Sequence, residues 1–362
     1  MSKCVHRVRI HPIPTVDTDR AQYRVELRAR VIVFDDMGEH EHGRHHVQRK
    51  TLSGIVVAAA LVVAGTTAPF AFADEDPGIE SVPLPDTELR VLSWNICGEA
   101  GGSRGDAGYC PYRNEPDVKV DQIVGMVDEY DLNVILLQEV CGESPDSHLG
   151  LLETALGEEW TIGRASGARP DGRTDCRGDL TGELGVGIAV KATDAEFDSQ
   201  NTVPAGGDEQ TLPILCATTS QWTTKVCTVH ILAKPEDPRR PGQIDNVRDY
   251  VWDDRDDLVL GGDFNMFPDS EGLDPIYGSF DECDRRSYHS GDTADEDTHH
   301  AWTNGDHVYR KRDHIFTTQV DGTRFTFCDS RTDLMDETAN EADSGPPTGY
   351  SDHAPLIAKL TV

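Results

Sequence analysis

Apolar residues in this chain gather into short runs separated by polar turns. Leu89 to Ile96, Val134 to Leu137, Val186 to Val190, Leu212 to Thr218, Lys225 to Leu232, Leu258 to Leu260, His314 to Thr317 and Leu356 to Val362 read as strands. Between them apolar positions recur every three or four residues: Val120, Ile123, Val127 and Tyr130, then Leu149, Leu152 and Leu156, then Ile244, Val247 and Val251. That spacing lines one face of a helix in each case. Hairpin-spaced strands mixed with amphipathic helices predict an α+β arrangement of two sheets packed face to face and covered outside by helices.

One apolar run fits neither pattern. Arg44, Arg49 and Lys50 precede Ile55 to Gly65, and Ala71-Phe72-Ala73 follows with the small-x-small spacing that a signal peptidase reads. The run is shorter than the roughly 20 apolar residues a membrane span needs. Residues 1–73 are therefore expected to be an N-terminal extension with a secretory signal peptide, Met37 offering an alternative start. Residues 74–88 are expected to be a flexible mature N-terminal segment, and residues 89–362 one domain, since no linker or repeat divides them. The mature chain is expected to be secreted, without stable membrane association, and monomeric, with no protein partner evident.

Removing the leader sharpens the charge. Of 33 basic and 65 acidic residues it holds 10 and 7, leaving 23 and 58 and a net of −35. Such a surface repels polyanions at long range, so a phosphate substrate must meet local cations or a bound metal. The mature chain keeps eight cysteines, Cys97, Cys110, Cys141, Cys176, Cys216, Cys227, Cys283 and Cys328. An even number in an exported chain without CxxC spacing reads as disulfides. Cys216 and Cys227 flank two Thr-rich runs around Gln221 and Trp222, which sets them opposite each other in a hairpin. For the remainder, neighbours in sequence are the preferred partners.

Candidate chemistry lies where polar residues interrupt or end apolar runs, in SWNICGE, LLQEVC, TVHI, GGDFNMFPD, RDHIF and SDHAPL. Glu139 follows Val134-Ile135-Leu136-Leu137-Gln138, and a carboxylate emerging there suits a hard divalent cation. Gly261 and Gly262 permit close backbone approach before Asp263 and Asn265, although an Asx-turn at a strand exit would explain that segment alone. Asp313 with His353 reads as a base and its orienter, because an imidazole that moves a proton needs a carboxylate to fix its tautomer. A histidine beside a strand is more often structural, so His230 rests on its company; the pair His299-His300 reads as solvated.

Taken in order, SWNI, QEV, VHI, GDFN, RDHI and SDH resemble the pattern of the endonuclease/exonuclease/phosphatase superfamily, also called DNase I-like, from about Leu89 to Leu360. The resemblance implies a four-layer α/β/β/α sandwich of two mixed β-sheets with the site at one end. It implies that Glu139, Asn95 and Asp352 form the metal region, with Mg²⁺ or Mn²⁺ as cofactor and Ca²⁺ as an accessory ion. His230 and Asn265 would hydrogen-bond the phosphate, Asp263 would orient or activate water, and His353 with Asp313 would be the base pair. Arg240 and Gln243 match an R-x-x-Q spacing that supports the phosphate side. Cys97 and Cys141 lie beside the motifs, so disulfides are expected to brace this site where many relatives have none.

The superfamily includes nucleases, sphingomyelinases and inositol-phosphate phosphatases, and fold does not choose among them. Local charge favours nucleic acid: Arg164, Arg169, Arg173, Arg177, Arg239, Arg240, Arg285, Arg286, Arg310, Lys311 and Arg312 cluster in loops, and guanidinium suits phosphate oxygens. Arg169 and Arg173 are the candidate substrate contacts beyond the motifs. The loop DECDRRSYHSGDTADEDTHHAW is polar and acidic, which argues against the membrane insertion a sphingomyelinase needs. A binding module that had lost catalysis would show gaps in the motif set, and none of its members is missing.

Overall fold

The structure, a computed structural model, describes residues 88–98, 110–283, 297–303, 306–320, 324–338 and 346–362. The leader, Arg285 and Arg286 lie outside the described residues. The first half of the fold comprises β1 (Glu88–Asn95), α1 (Pro116–Tyr130), β2 (Val134–Gly142), α2 (His148–Leu156), β3 (Thr161–Ser166), β4 (Glu183–Val190) and β5 (Glu196–Asn201). There follow β6 (Pro213–Thr219), β7 (Trp222–His230), α3 (Arg240–Val251), β8 (Leu258–Asp263), α4 (Asp274–Tyr277) and β9 (Phe280–Glu282). The last strands are β10 (His299–Thr303), β11 (Asp306–Arg310), β12 (Asp313–Thr318), β13 (Phe325–Ser330) and β14 (Leu356–Thr361).

Two six-stranded sheets result, ordered β13-β14-β1-β2-β4-β3 and β5-β6-β7-β8-β12-β9. At the centre of each is a parallel pair, β1 with β2 and β7 with β8, and antiparallel strands surround both. A parallel pair needs a crossover, which α1 and α3 supply. Proline at the start of α1 suits a helix opening, and its C-cap Asp131 turns left-handed so that its N–H donates to Val127 O.

The strands are buried on both faces, which explains their unbroken apolar runs. In β2, Val134 and Leu136 point into the interlayer core with Val186, Ile188, Leu215, Val226, Val259 and Ile315. Ile135 and Leu137 face the other way, onto Ile123 and Met126 of α1 and Leu149 and Leu152 of α2. Beyond the second sheet, Ile244, Val247 and Val251 of α3 cover Val229, Leu258 and Leu260. The layers are therefore α/β/β/α. Among the described residues no helix is long and apolar enough to cross a membrane.

Four disulfides join cysteines that are neighbours in sequence: Cys97–Cys110, Cys141–Cys176, Cys216–Cys227 and Cys283–Cys328. Cys216 and Cys227 are direct partners in the β6–β7 register. Cys97 and Cys141 of the first two bridges stand beside the ends of β1 and β2, and the last bridge links an edge of one sheet to an edge of the other. Each such bridge typically contributes about 2–5 kcal/mol.

α2 opens on Ser147, whose Oγ accepts from Gly150 N at 3.2 Å, and then buries His148. His148 Nδ1 accepts from Cys141 N at 3.3 Å, and its Nε2 has no hydrogen-bond partner among the described residues. Burial, helped by Lys119, pulls this imidazole down to about 3. The unfolded chain takes up a proton near pH 6.5 that the folded chain refuses until about 3, so stability is full above 6.5 and drains as pH falls. The slope should approach about 1.4 kcal/mol per pH unit. Urea melts of the natural chain and His148→Gln between pH 7 and 4 should converge towards low pH; parallel curves would show that His148 is not the titrating group.

Candidate functional site

Six strand ends meet at one rim of the sandwich. β1, β2, β7 and β8 point their carboxyl ends there, and the antiparallel β12 and β14 begin there. The register sets His230 opposite Asp263, and Asp263 opposite Asp313. Gly261 lets the sheets approach, since a Cβ there would stand 2.7 Å from Leu136 Cδ1. Gly262 has φ +150° and a Cβ would stand 2.0 Å from Val229 O, so only glycine fits before Asp263.

Asp263 is the hub. Its Oδ2 accepts from Asn95 Nδ2 and Asn265 Nδ2, each at 3.1 Å, and lies 3.5 Å from His230 Nε2 and 3.7 Å from His353 Nε2. Its Oδ1 accepts from Asn265 N at 2.7 Å. Burial opposes charge on this carboxyl, but His353, His230 and Arg312 outweigh it and hold it below its ordinary value. Asn265 Nδ2 also donates to Ile231 O at 3.0 Å and lies 3.3 Å from His230 Nε2.

His353 is fixed on every side. Its Nδ1 lies 2.8 Å from Asp313 Oδ2, its N–H donates to Ser351 Oγ at 3.1 Å, and its carbonyl accepts from Trp94 Nε1 at 2.9 Å. Ser351 Oγ in turn donates to Asn95 O at 2.7 Å, tying the SDH turn to β1. Burial opposes charge on the ring, yet the carboxylates of Asp313, Asp263 and Asp352 prevail and lift it to about 10.

Glu139 does not stand at a strand end as its apolar run suggested. β2 continues to Gly142, and Glu139 occupies a bulge between Gln138 and Val140 with φ +50°. Two other residues beside the site, Cys97 (φ 49°) and Asn265 (φ 51°), share that left-handed conformation. For glutamate it costs on the order of 1 kcal/mol or more. The partly exposed carboxylate lies 3.9 Å from His230 Nε2. Burial and then Glu139 push the neighbouring Asp352 up to about 6, against the opposing pull of His353 and Lys119. Among the described residues Asp352, His299 and His353, and likewise Asp263, Asp313 and His353, stand close enough together to share an ion, and carboxylate oxygens suit a hard divalent cation.

Asn95 lies beside the site as expected, with Oδ1 accepting from Cys97 N at 2.9 Å while Nδ2 donates to Asp263. Arg240 and Gln243 are buried and brace the site from beneath. Arg240 Nη2 donates to Asn265 O at 2.5 Å, and Gln243 Nε2 donates to His230 O at 3.1 Å. Arg173 is exposed and paired with Asp171 at 2.7 Å, while buried Arg169 donates to Asp175 O.

Lys119 escaped sequence reasoning, His299 was read only as solvated, and Arg312 was named only among the loop cations. Lys119 is fully buried, its Nζ donating to the carbonyls of Ile96 (2.5 Å), Cys97 (3.2 Å) and Tyr350 (2.9 Å), and burial draws it down to about 7. A lysine four residues before Ile123, on the apolar face of α1, was the available signal. His299 packs edge-on against His353 with ring centroids 4.6 Å apart and lies 3.9 Å from Asp352; it is buried, not solvated. Arg312 Nη1 donates to Asn265 Oδ1 at 3.3 Å.

No protein-family model matches the sequence, and no curated protein matches it. Solved structures do match. Zebrafish (D. rerio) TDP2 complexed with single-strand DNA product is 16% identical, covers 76% of this chain and 100% of its own, and has a TM-score of 0.52. An endonuclease/exonuclease/phosphatase family protein from Leptotrichia buccalis is 12% identical over 76% of this chain and 100% of its own, with a TM-score of 0.53. One from Bacteroides thetaiotaomicron is 18% identical over 76% and 97%, with a TM-score of 0.51. The chain thus has the two-sheet fold of the endonuclease/exonuclease/phosphatase, DNase I-like, superfamily.

Proposed function

We propose that this chain is an exported, divalent-metal-dependent phosphodiesterase that hydrolyses nucleic acid by in-line attack of water on phosphorus. One observation carries the reading: four neutral or cationic donors, from Asn95, Asn265, His230 and His353, converge within 3.7 Å of Asp263 Oδ2 beside the Glu139 and Asp352 carboxylates. Such a group of donors suits a phosphate and an attacking water. Export is supported by the leader and by the disulfides.

Glu139 and Asp352 would hold the cation, Mg²⁺ or Mn²⁺, which supplies charge stabilisation to the phosphoryl oxygens. Asp263, kept ionised by its donors, aims the attacking water and takes up its proton as the new P–O bond forms and the bond to the leaving oxygen breaks. His353 was expected to be the base from its motif. Asp313 fixes its ring at 2.8 Å, and the carboxylates around it raise its affinity for a proton, a setting that also suits donation of Nε2–H towards the reacting phosphate. His230 and Asn265 complete the donor set for the equatorial charge.

The test uses the chain without its leader, with Mg²⁺, Mn²⁺, Ca²⁺ or EDTA, on plasmid DNA, RNA, sphingomyelin and bis(p-nitrophenyl) phosphate. Cleavage of nucleic acid should require a divalent ion. It should also fall steeply with added monovalent salt, because each phosphate neutralised contributes a slope of about 0.7–0.9 in log K against log salt, whereas the small diester should respond little. Salt-insensitive cleavage of DNA and RNA, or faster hydrolysis of sphingomyelin, would move the substrate to the lipid or small-molecule branch of the fold.

A further inference from the structure

Beside Glu139 and His230 the cleft deepens into a cavity of about 220 Å³. Its walls are mainly apolar, with Leu184 and Val186 of β4 on one side and Leu212 and Ile231, just outside β6 and β7, on the other, and buried Arg169 joins the lining. Gln210 and Arg177 stand at its polar margin, and exposed Ala233 lies at its mouth. Two other cavities, of about 290 and 590 Å³, lie along β3 and include none of Asn95, Glu139, His230, Asp263 or His353.

The cavity is built in advance of any ligand. Its outer wall is the loop between β3 and β4, which crosses from the first sheet to the second. Ala168 N donates to Thr211 O at 3.0 Å, and Thr211 N returns the bond at 2.9 Å. The Cys141–Cys176 bridge pins the same loop to β2 two residues after Glu139.

The occupant's chemistry follows from these walls. Apolar side chains face one another across a space too small for an acyl chain, since drug-sized ligands fill about 300–1,000 Å³. A quaternary ammonium group is recognised by aromatic faces, none of which line this cavity, and the Arg177 cation would repel it. An uncharged planar ring suits the walls, and Gln210 offers both a donor and an acceptor to a ring edge. We infer that this cavity is the subsite for the nucleoside attached to the scissile phosphate, its base lying between Leu184 and Leu212 and its edge towards Gln210. The inference rests on the nuclease reading and narrows it to an enzyme that grips one base next to the bond it cuts.

Equilibrium binding decides it. In Mg²⁺, the tighter-binding of thymidine 5′- and 3′-monophosphate should bind at least about tenfold more tightly than inorganic phosphate or phosphocholine, the gain expected from burying one base against apolar walls. Ala233→Trp, a surface change that plugs the mouth, should erase that difference while leaving the melting temperature as it was. Equal affinity for the nucleotide and inorganic phosphate, preference for phosphocholine, or selectivity intact in Ala233→Trp would each overturn the subsite. Nucleotide selectivity lost in Ala233→Trp, in a chain that cleaves no nucleic acid, would uphold the subsite and defeat the nuclease reading alone.

Discussion

The Glu139→Gln variant is expected to lose on the order of 10²–10³-fold in kcat/KM, the loss typical when one group stabilising transition-state charge is removed. It should bind Mg²⁺ or Mn²⁺ more weakly, because an amide oxygen is a poorer ligand for a hard cation than a carboxylate. The fold should be untouched, for the carboxylate is partly exposed and, among the described residues, makes no hydrogen bond or ion pair closer than the 3.9 Å approach to His230. Glu139→Gly makes the point more sharply. With φ at +50°, the backbone at this bulge disfavours every side chain, so glycine should melt at or above the natural chain while being inactive. Calorimetric titration with the metal, alongside thermal melts, checks both. Full activity in Glu139→Gln would remove Glu139 from the cation site, and a collapsed melt would make it structural.

His353→Ala should lower kcat by about 10²–10⁴-fold, the range for loss of a positioned proton donor or acceptor. Asp313→Ala should cost nearly as much, since the 2.8 Å contact to Nδ1 sets both the ring's orientation and its charge. The double variant should be scarcely worse than either single one, because residues acting as a unit are not additive. Losses that multiply in the double variant would show that the two act separately. Asp313→Asn is the informative companion: it keeps the shape of the contact but removes the charge that helps hold His353 protonated. It should fail in alkaline buffer well before the natural chain does.

Much of the fold was legible because its central strands are buried on both faces, leaving runs such as Val134 to Leu137 that only a covered sheet needs. The outer strands were not. β5 reads EFDSQN and β10 reads HHAWT, and neither alternates clearly, since an edge or a ribbon requires little apolar surface. The site was legible as an order of polar residues closing apolar runs, while its internal geometry was hidden. No sequence signal announces a glutamate in the left-handed region, so the bulge at Glu139 and the continuation of β2 beyond it could not be foreseen. Arg240 and Gln243 show the complementary case: their spacing was visible, but not that they would hold the carbonyls of Asn265 and His230.

The Cys283–Cys328 bridge has a mechanical consequence. β9 and β13 are edges of different sheets, so this covalent link binds the two halves of the sandwich along one long side. Along the other, β3 and β5 are joined by no bridge, and the crossing pair Ala168 and Thr211 is held by hydrogen bonds. The molecule is thus bound like a book, with a spine at β9 and β13 and a free fore-edge at β3 and β5. Thermal opening is expected to begin at that fore-edge, next to the cavity beside Glu139. Slow widening of the cleft for a bulky strand would then proceed without strain at Asp313 and His353, and amides of β3 and β5 would exchange with solvent before those of β12.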